Sequence, residues 1–334
     1  KEAVDHIEGP VLVNAGPGTG KTQILATRIG KILIEQDVSP HNILCLTYTD
    51  SATIAMRKRL VKIIGPEAHQ IHIYTFHGFC NQVIQENLEY FGGYRKLEPI
   101  SDLERVNVME ELIDGLDDDS PLKRYKGDRY YEAIRMHKLF VLMKKENISP
   151  EAMHTMIDQY VENEKEKEEY YYKRKHTNKK TGKTYEKGDL KEDSYNKLIR
   201  SFDIVKAAVD QYIIFLDLMQ KYERYDYEDM ILWVIKAFAE NEEILLKYQE
   251  RYQYFLVDEY QDTNGSQNNL LEMLISYWES PNVFVVGDDD QAIYKFQGAN
   301  LGNITAFEKK YIPHTVVLEK NYRSAQTILD KAKD

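Results

Sequence analysis

The stretch VLVNAGPGTGKTQIL, Val11 to Leu25, decides the fold. Val11, Leu12, Val13 and Asn14 read as a short buried strand. Ala15, Gly16, Pro17, Gly18, Thr19, Gly20, Lys21 and Thr22 follow, and Ile24, Leu25, Ile29 and Ile32 then recur at helical spacing. Strand, glycine turn, Lys-Thr and helix is the arrangement that wraps a phosphate. Glycines let consecutive N–H groups converge without Cβ clashes. The N-terminus of the helix adds partial positive charge. Lys21 brings a full charge to β- and γ-phosphates, and the Thr22 hydroxyl can ligate Mg²⁺. The strict pattern opens with Gly where this chain has Ala15. A glycine turn that binds nothing is the alternative, but it gives no reason for Lys-Thr between a strand and a helix. The ligand expected here is a nucleoside triphosphate.

Composition narrows the rest. The 334 residues can bury one large core or two. Hydrophobic residues make up 43% and charged residues 30%, the balance of an ordinary globular protein. No run reaches the roughly 18 apolar residues of a membrane span, and no secretory signal is visible. Cys45 and Cys80 each sit among apolar residues, so buried thiols in a reducing, cytoplasmic setting are expected rather than a disulfide or zinc site. A net charge of −11 lends no support to nucleic-acid binding, so basic surface has to be sought segment by segment. A chain that opens on Lys1 and stops at Asp334 in a helical pattern is expected to be part of a longer protein.

Short apolar runs recur along the chain: Ile43–Thr47, Ile71–Thr75, Tyr254–Asp258, Val283–Gly287 and Thr315–Glu319. Each is rich in β-branched or aromatic residues, and most precede a helical pattern. This alternation predicts an α/β fold with a parallel sheet covered by helices. Between residues 92 and 221 strand signals nearly vanish, while helical periodicity marks Val106–Leu116, Tyr131–Lys145 and Tyr195–Tyr222. The expected organisation is an α/β domain over 1–91 and 222–334 with a mainly helical insertion over 92–221. Within the insertion, 162–193 is a charge tract expected to be solvated and mobile. It contains KRKHTNKKTGKTYEK, Lys173–Lys187, whose basic excess opposes the acidic remainder. Thr181-Gly182 would turn it into a short basic hairpin with Tyr172 and Tyr185 on the arms, a candidate surface for phosphates. A solvated, disordered loop is the alternative.

Three further segments carry chemistry. FLVDEYQDTN, Phe255–Asn264, ends a strand in two carboxylates. Asp258 there can hold Mg²⁺ through its water shell, and Glu259 can orient and deprotonate an attacking water. An acidic surface turn is the alternative. VFVVGDDDQAIYKFQGAN, Val283–Asn300, places Gln291 where it can bridge a γ-phosphate or its water to another site. The aromatics Tyr294 and Phe296 follow, for which core packing is the ordinary role. VVLEKNYRSAQTIL, Val316–Leu329, sets Tyr322 and Arg323 at a strand-to-helix turn. Arg323 can neutralise γ-phosphate charge or simply be a surface cation, and Tyr322 can stack on a base.

AGPGTGKT, LTYTDSATIAMRKRL, IYTFHGFC, LVDEYQDT, VVGDDDQAIYKFQGA and LEKNYRS, in that order, resemble the successive motifs of the UvrD/Rep/PcrA type of superfamily 1 DNA helicases. The resemblance covers nearly the whole chain apart from much of the charge tract. It implies a RecA-like P-loop ATPase lobe with a helical insertion, and ATP- and Mg²⁺-driven 3′-to-5′ movement on single-stranded DNA with unwinding at duplex junctions. It implies that residues 15–22 cradle the nucleotide, that Thr22 and Asp258 serve the metal, and that Glu259 is the base. Gln291 and Arg323 would sense the γ-phosphate, and Tyr322 would stack on adenine. Thr47, Tyr48, Thr75, Phe76, His77 and Phe296 match the family's DNA contacts, and a loop aromatic suits a base's π-face at about 1–3 kcal/mol per base.

The chain departs from the family pattern at Gln23, where Arg usually grips the nucleotide, at Gln297, where Arg precedes Gly-Ala, and at Asp50-Ser51, where Asn-Lys is usual. These bear on affinity more than on reaction type. The family's second motor lobe, with its catalytic arginine, has no counterpart in the sequence, so the chain alone is expected to turn ATP over very slowly. Three rivals stand beside this reading: the matching part of a RecB- or AddA-type helicase–nuclease subunit, a nucleotide-gated DNA-binding module without hydrolysis, and a small-molecule P-loop kinase. The strand ends DEYQD and GDDDQ speak against the kinase.

Overall fold

The computed structural model describes residues 1–94, 96–123, 128, 130–177, 182–288, 301–325, 327 and 331. The chain forms two compact units, Lys1–Arg95 with Tyr227–Asp334, and Lys96–Asp226. The strands among the described residues are β1 (Val11–Ala15), β2 (Ile43–Thr47), β3 (His72–Thr75), β4 (Glu98–Pro99), β5 (His176–Thr177), β6 (Thr184–Tyr185), β7 (Arg224–Tyr225), β8 (Tyr254–Val257), β9 (Val283–Gly287) and β10 (His314–Leu318).

Six of these build the first unit's sheet, in the order β10-β1-β9-β8-β2-β3, with every pairing parallel. The expected α/β class with a parallel sheet is what the chain adopts. All five residues of β2 and of β9 are buried, as a sheet covered on both faces requires. Val13, Cys45, Ile73, Leu256 and Val286 share one core with Leu25 and Ile29 of the helix Lys21–Glu35 and with Met56 and Leu60 of the helix Asp50–Ile64. The helix Tyr227–Glu240 packs against both Phe76–Glu86 and Gly265–Ile275, and Phe79, Val234, Phe238 and Leu270 are buried there. Cys45 and Cys80 are buried and unbridged, and burial pushes both thiols up. Among the described residues no helix is long and apolar enough to cross a membrane.

One cation lies inside this core. Arg28 is only 1% exposed; it donates to the carbonyls of Ala3 (2.9 Å), Ile7 (2.8 Å) and His6, and its guanidinium lies 4.3 Å from the centre of the Phe284 ring. Burial lowers its pKa to about 10. The three carbonyls satisfy the planar fork and fasten the first seven residues to the helix Lys21–Glu35.

The second unit is mainly helical, with Val108, Met136, Phe140, Val209 and Phe215 at its centre. The periodicity over Tyr195–Tyr222 reads as one helix, but the chain makes two, Glu192–Asp210 and Tyr212–Lys221. At the break the Gln211 N–H reaches back three residues to Ala208, so the ladder tightens there. The helix Pro150–Lys165 escapes the sequence reading, although Ser149 caps it and Pro150 opens it. In the charge tract β5 pairs antiparallel with β6, His176 opposite Tyr185 and Thr177 opposite Thr184. The Tyr172 ring stacks on Tyr185 at 4.6 Å and on His176 at 5.3 Å. These described residues form a hairpin rather than a structureless loop; Lys179, Lys180 and Thr181 lie outside the described residues. Where the chain enters and leaves the unit, β4 and β7 pair in parallel, Glu98 beside Arg224.

Candidate functional site

The site grows from the carboxyl ends of three adjacent strands. β9 lies between β1 and β8, with Asn14 beside Gly287 and Val257 beside Val285. The turns after these strands therefore meet at one edge, where open α/β sheets place ligands. After β1 the chain passes through Gly18 (φ +71°) and Gly20 (φ +94°) into the helix that starts at Lys21, and no side chain caps that start. Both glycines occupy the left-handed region that an L-residue avoids. The Thr19 hydroxyl turns inward and donates to the Gly16 carbonyl at 2.8 Å.

After β8 the chain turns at once. Glu259 takes a left-handed conformation (φ +50°), and its N–H donates to the Asp258 carboxylate at 3.1 Å. Lys21 Nζ stands 2.7 Å from Glu259 Oε2. Asp258 is 4% exposed; burial foremost, and the neighbouring Glu259 charge next, raise its pKa to about 6 despite the opposing pull of Lys21. Gln261 ties this corner together. Its amide nitrogen donates to Glu259 Oε2 (2.9 Å) and Asp262 Oδ2 (3.2 Å), while its oxygen accepts from the Asp288 N–H (3.1 Å). Gly287 permits this approach, because a Cβ there would lie 3.0 Å from the Gln261 side-chain oxygen. Burial also raises the Asp262 pKa.

Because β10 pairs with β1, Ala15 opposite Leu318, the turn after β10 arrives beside the glycine loop. The Tyr322 N–H donates to the Gly18 carbonyl at 2.9 Å, and a Cβ on Gly18 would lie 2.6 Å from Arg323 Cβ. The Tyr322 ring is 72% exposed. Gln23 lies in the first turn of the helix, where its amide nitrogen donates to Thr27 Oγ1 and its oxygen accepts from Arg59 at 3.4 Å. Gln291 falls outside the described residues, as do Phe296 and Gln297.

The residues expected at DNA divide in two. Thr47 is buried at the end of β2, its hydroxyl 2.7 Å from that of Thr53, and Phe76 is 3% exposed. Both side chains serve packing in this conformation, because a position at a strand end or on a helix's inner face is covered by the next helix. Tyr48 is 47% exposed. Thr75 accepts from the Gly78 N–H and so caps the helix Phe76–Glu86. His77, next on that helix, is partly exposed and lies 3.2 Å from Glu228.

Gln261, Arg59 and Asn321 go unremarked in the sequence reading. All three sit inside quoted motifs, and for Gln261 and Asn321 a polar residue just past a strand end is the signal that would have marked them.

A family model described as the UvrD/REP helicase N-terminal domain matches residues 1–312. The chain is 32% identical over its full 334 residues to the ATP-dependent DNA helicase PcrA of Staphylococcus aureus (strain Mu50 / ATCC 700699). It is also 32% identical over 334 residues to the ATP-dependent DNA helicase PcrA of Staphylococcus epidermidis (strain ATCC 12228 / FDA PCI 1200). In both cases the match takes in 100% of this chain and 38% of the relative's length.

Proposed function

The chain belongs to the UvrD/REP helicase family, and on that premise we propose that it is the nucleotide-binding lobe of an ATP-driven DNA helicase moving 3′-to-5′ on single strands. The observation that carries this reading is the meeting of Lys21, Asp258 and Glu259 at the mouth of a glycine loop. A strand-end pair of carboxylates facing a loop lysine is the equipment of phosphoanhydride hydrolysis.

The residues present suit a nucleotide and its metal. Left-handed glycines and a helix start without a side-chain cap offer backbone donors to phosphates, and Lys21 offers charge. Among the described residues no three His, Cys, Asp or Glu side chains cluster as a self-sufficient metal site. That suits Mg²⁺, which is held by one or two protein groups together with substrate phosphates. Thr22 and the buried Asp258 are the groups proposed for it. Bound there, the metal would neutralise charge building on the phosphates.

The work of the chain's own side chains follows from their placement. Lys21 releases Glu259 when phosphate takes the carboxylate's place. Glu259, kept in line by the Gln261 amide, accepts the proton of the attacking water. Arg323 and Tyr322, beside the loop, are proposed to meet the γ-phosphate and the base, and Gln291 to sense the γ-phosphate. Tyr48 and His77 are proposed as the accessible DNA contacts, with Thr75 and Phe296. A second motor lobe is proposed to complete the site, so the chain alone should bind Mg-ATP weakly and hydrolyse it very slowly. One donor missing from a transition state typically costs about 10²–10³-fold.

The test is steady-state ATP hydrolysis with and without a single-stranded oligonucleotide, on the longer protein and on this chain. DNA-stimulated hydrolysis by the longer protein, and little by the chain, is the expected pattern. Hydrolysis indifferent to DNA in the longer protein would overturn the helicase reading, and robust stimulated turnover by this chain would overturn the need for a second lobe.

A further inference from the structure

The turn after β10 does more than carry Tyr322 and Arg323 to the glycine loop; its first residue reaches into the loop's backbone. The Asn321 side-chain oxygen accepts from the N–H groups of Arg323 (2.8 Å) and Ser324 (2.9 Å), which closes the turn. Its amide nitrogen donates to the Pro17 carbonyl at 2.5 Å. The next N–H, that of Tyr322, takes the Gly18 carbonyl. A Cβ on Gly18 would lie 2.8 Å and 2.9 Å from the two polar atoms of the Asn321 amide. Two consecutive peptide groups of the loop are thus held from one side by one turn.

A trans peptide carries its C=O and N–H on opposite sides. A Pro17 carbonyl fixed toward Asn321 therefore turns the Gly18 N–H away from Asn321, and a Gly18 carbonyl fixed toward Tyr322 turns the Thr19 N–H away from that turn, where it meets the Gly16 carbonyl at 3.4 Å. The Gly18 N–H belongs to the segment read as the phosphate cradle. We infer that Asn321 is a positioning residue for nucleotide binding: it orients the Pro17–Gly18 peptide so that the Gly18 N–H faces the phosphates before any nucleotide arrives. The inference rests on the nucleotide-site reading above.

Asn321→Ser and Asn321→Thr test it. Each keeps a neutral side-chain oxygen that can close the turn, and each is too short and lacks the amide donor to hold Pro17. Titration calorimetry with Mg-ADP and with a non-hydrolysable Mg-ATP analogue, alongside thermal melting, separates the possible roles. The expected result is an unchanged melting midpoint and a Kd raised about three- to tenfold, the worth of one neutral hydrogen bond. The factor should be the same for both nucleotides, because the loop's N–H groups hold phosphates common to both. A residue that merely shapes the turn around Arg323 would weaken the triphosphate alone. Unchanged affinities in either folded variant, or a loss confined to the triphosphate, overturn the inference and leave the site reading intact. Absence of binding by the unaltered chain overturns the site reading, and the inference with it.

Discussion

Lys21 and Glu259 form an ion pair of 2.7 Å across the mouth of the glycine loop. The cation proposed for phosphate and the carboxylate proposed for water hold each other in this structure. Glu259 is therefore a competitor of the nucleotide as well as its proposed base.

Glu259→Gln should accordingly tighten Mg-ADP binding by about two- to fivefold, since a part-exposed pair is worth under about 1 kcal/mol. In the longer protein the same change should abolish DNA-stimulated hydrolysis, because an amide has no base to offer. Lys21→Ala should weaken phosphate binding instead. Equilibrium titration of the three proteins decides; an affinity unchanged by Glu259→Gln would show that the pair does not compete.

Asp258 predicts a trade of stability for function. Its folded pKa, about 6, stands above the ordinary 3.8. The folded chain therefore holds that proton more tightly than the unfolded one, and ionisation costs stability as pH rises through this window. A shift of about two units corresponds to roughly 3 kcal/mol above it. Asp258→Asn should raise the melting midpoint at neutral pH, lose that advantage near the ordinary carboxylate pKa, and fail to bind nucleotide in a Mg²⁺-dependent way. A variant equally or less stable at neutral pH would contradict this.

Glu86 predicts the opposite slope. Burial works to raise its pKa, but hydrogen bonds from Gln82, Arg251 and Tyr248 outweigh it and bring the value to about 2. Its contribution is present above the unfolded pKa of about 4.5 and is lost as pH falls toward 2. Glu86→Gln should destabilise the chain by about 2 kcal/mol at neutral pH, and the gap should close in acid. Urea unfolding at several pH values measures it.

The hairpin of the charge tract gives a salt-dependent prediction. Its basic residues are not equivalent, since Lys175 lies 2.6 Å from Glu186 and Lys183 lies 3.7 Å from Glu192. Changing Lys175, Lys179, Lys180 and Lys183 to Glu should weaken binding of the longer protein to a tailed duplex. Its salt slope should fall by about 0.9 for each phosphate the hairpin no longer neutralises, with short single strands nearly untouched. Equal affinity and slope on the tailed duplex would assign the hairpin no role in DNA binding.

The sheet strands were legible within one residue at most ends, because β-branched runs bounded by turns report buried strands directly. The meeting of Lys21 with Glu259 had a signal too, because Lys21 opens the helix after the glycine turn and Asp258 and Glu259 follow directly on a strand. The order of the strands was not. Nothing local to His314–Leu318 says that it will lie against Val11–Ala15, about 300 residues earlier in the chain, so the approach of Asn321 to Pro17 had no sequence signal. Gln261 was passed over for a similar reason: its partners lie on two strand ends. Thr47 and Phe76 match the family's DNA contacts by motif alone, and a motif does not say that both side chains are buried. The break at Gln211 shows the limit of periodicity, which continues across a single tightened turn.

The parallel pair of Glu98 with Arg224 brings the two ends of the helical unit side by side. A segment whose exit lies beside its entrance behaves, for the chain that carries it, as a single stitch. Descendants can lengthen it, shorten it or exchange it for another, because the gap that the flanking chain must span stays the same whatever hangs from it. Selection can then remodel this unit at a rate of its own while the parallel sheet stays under separate constraint.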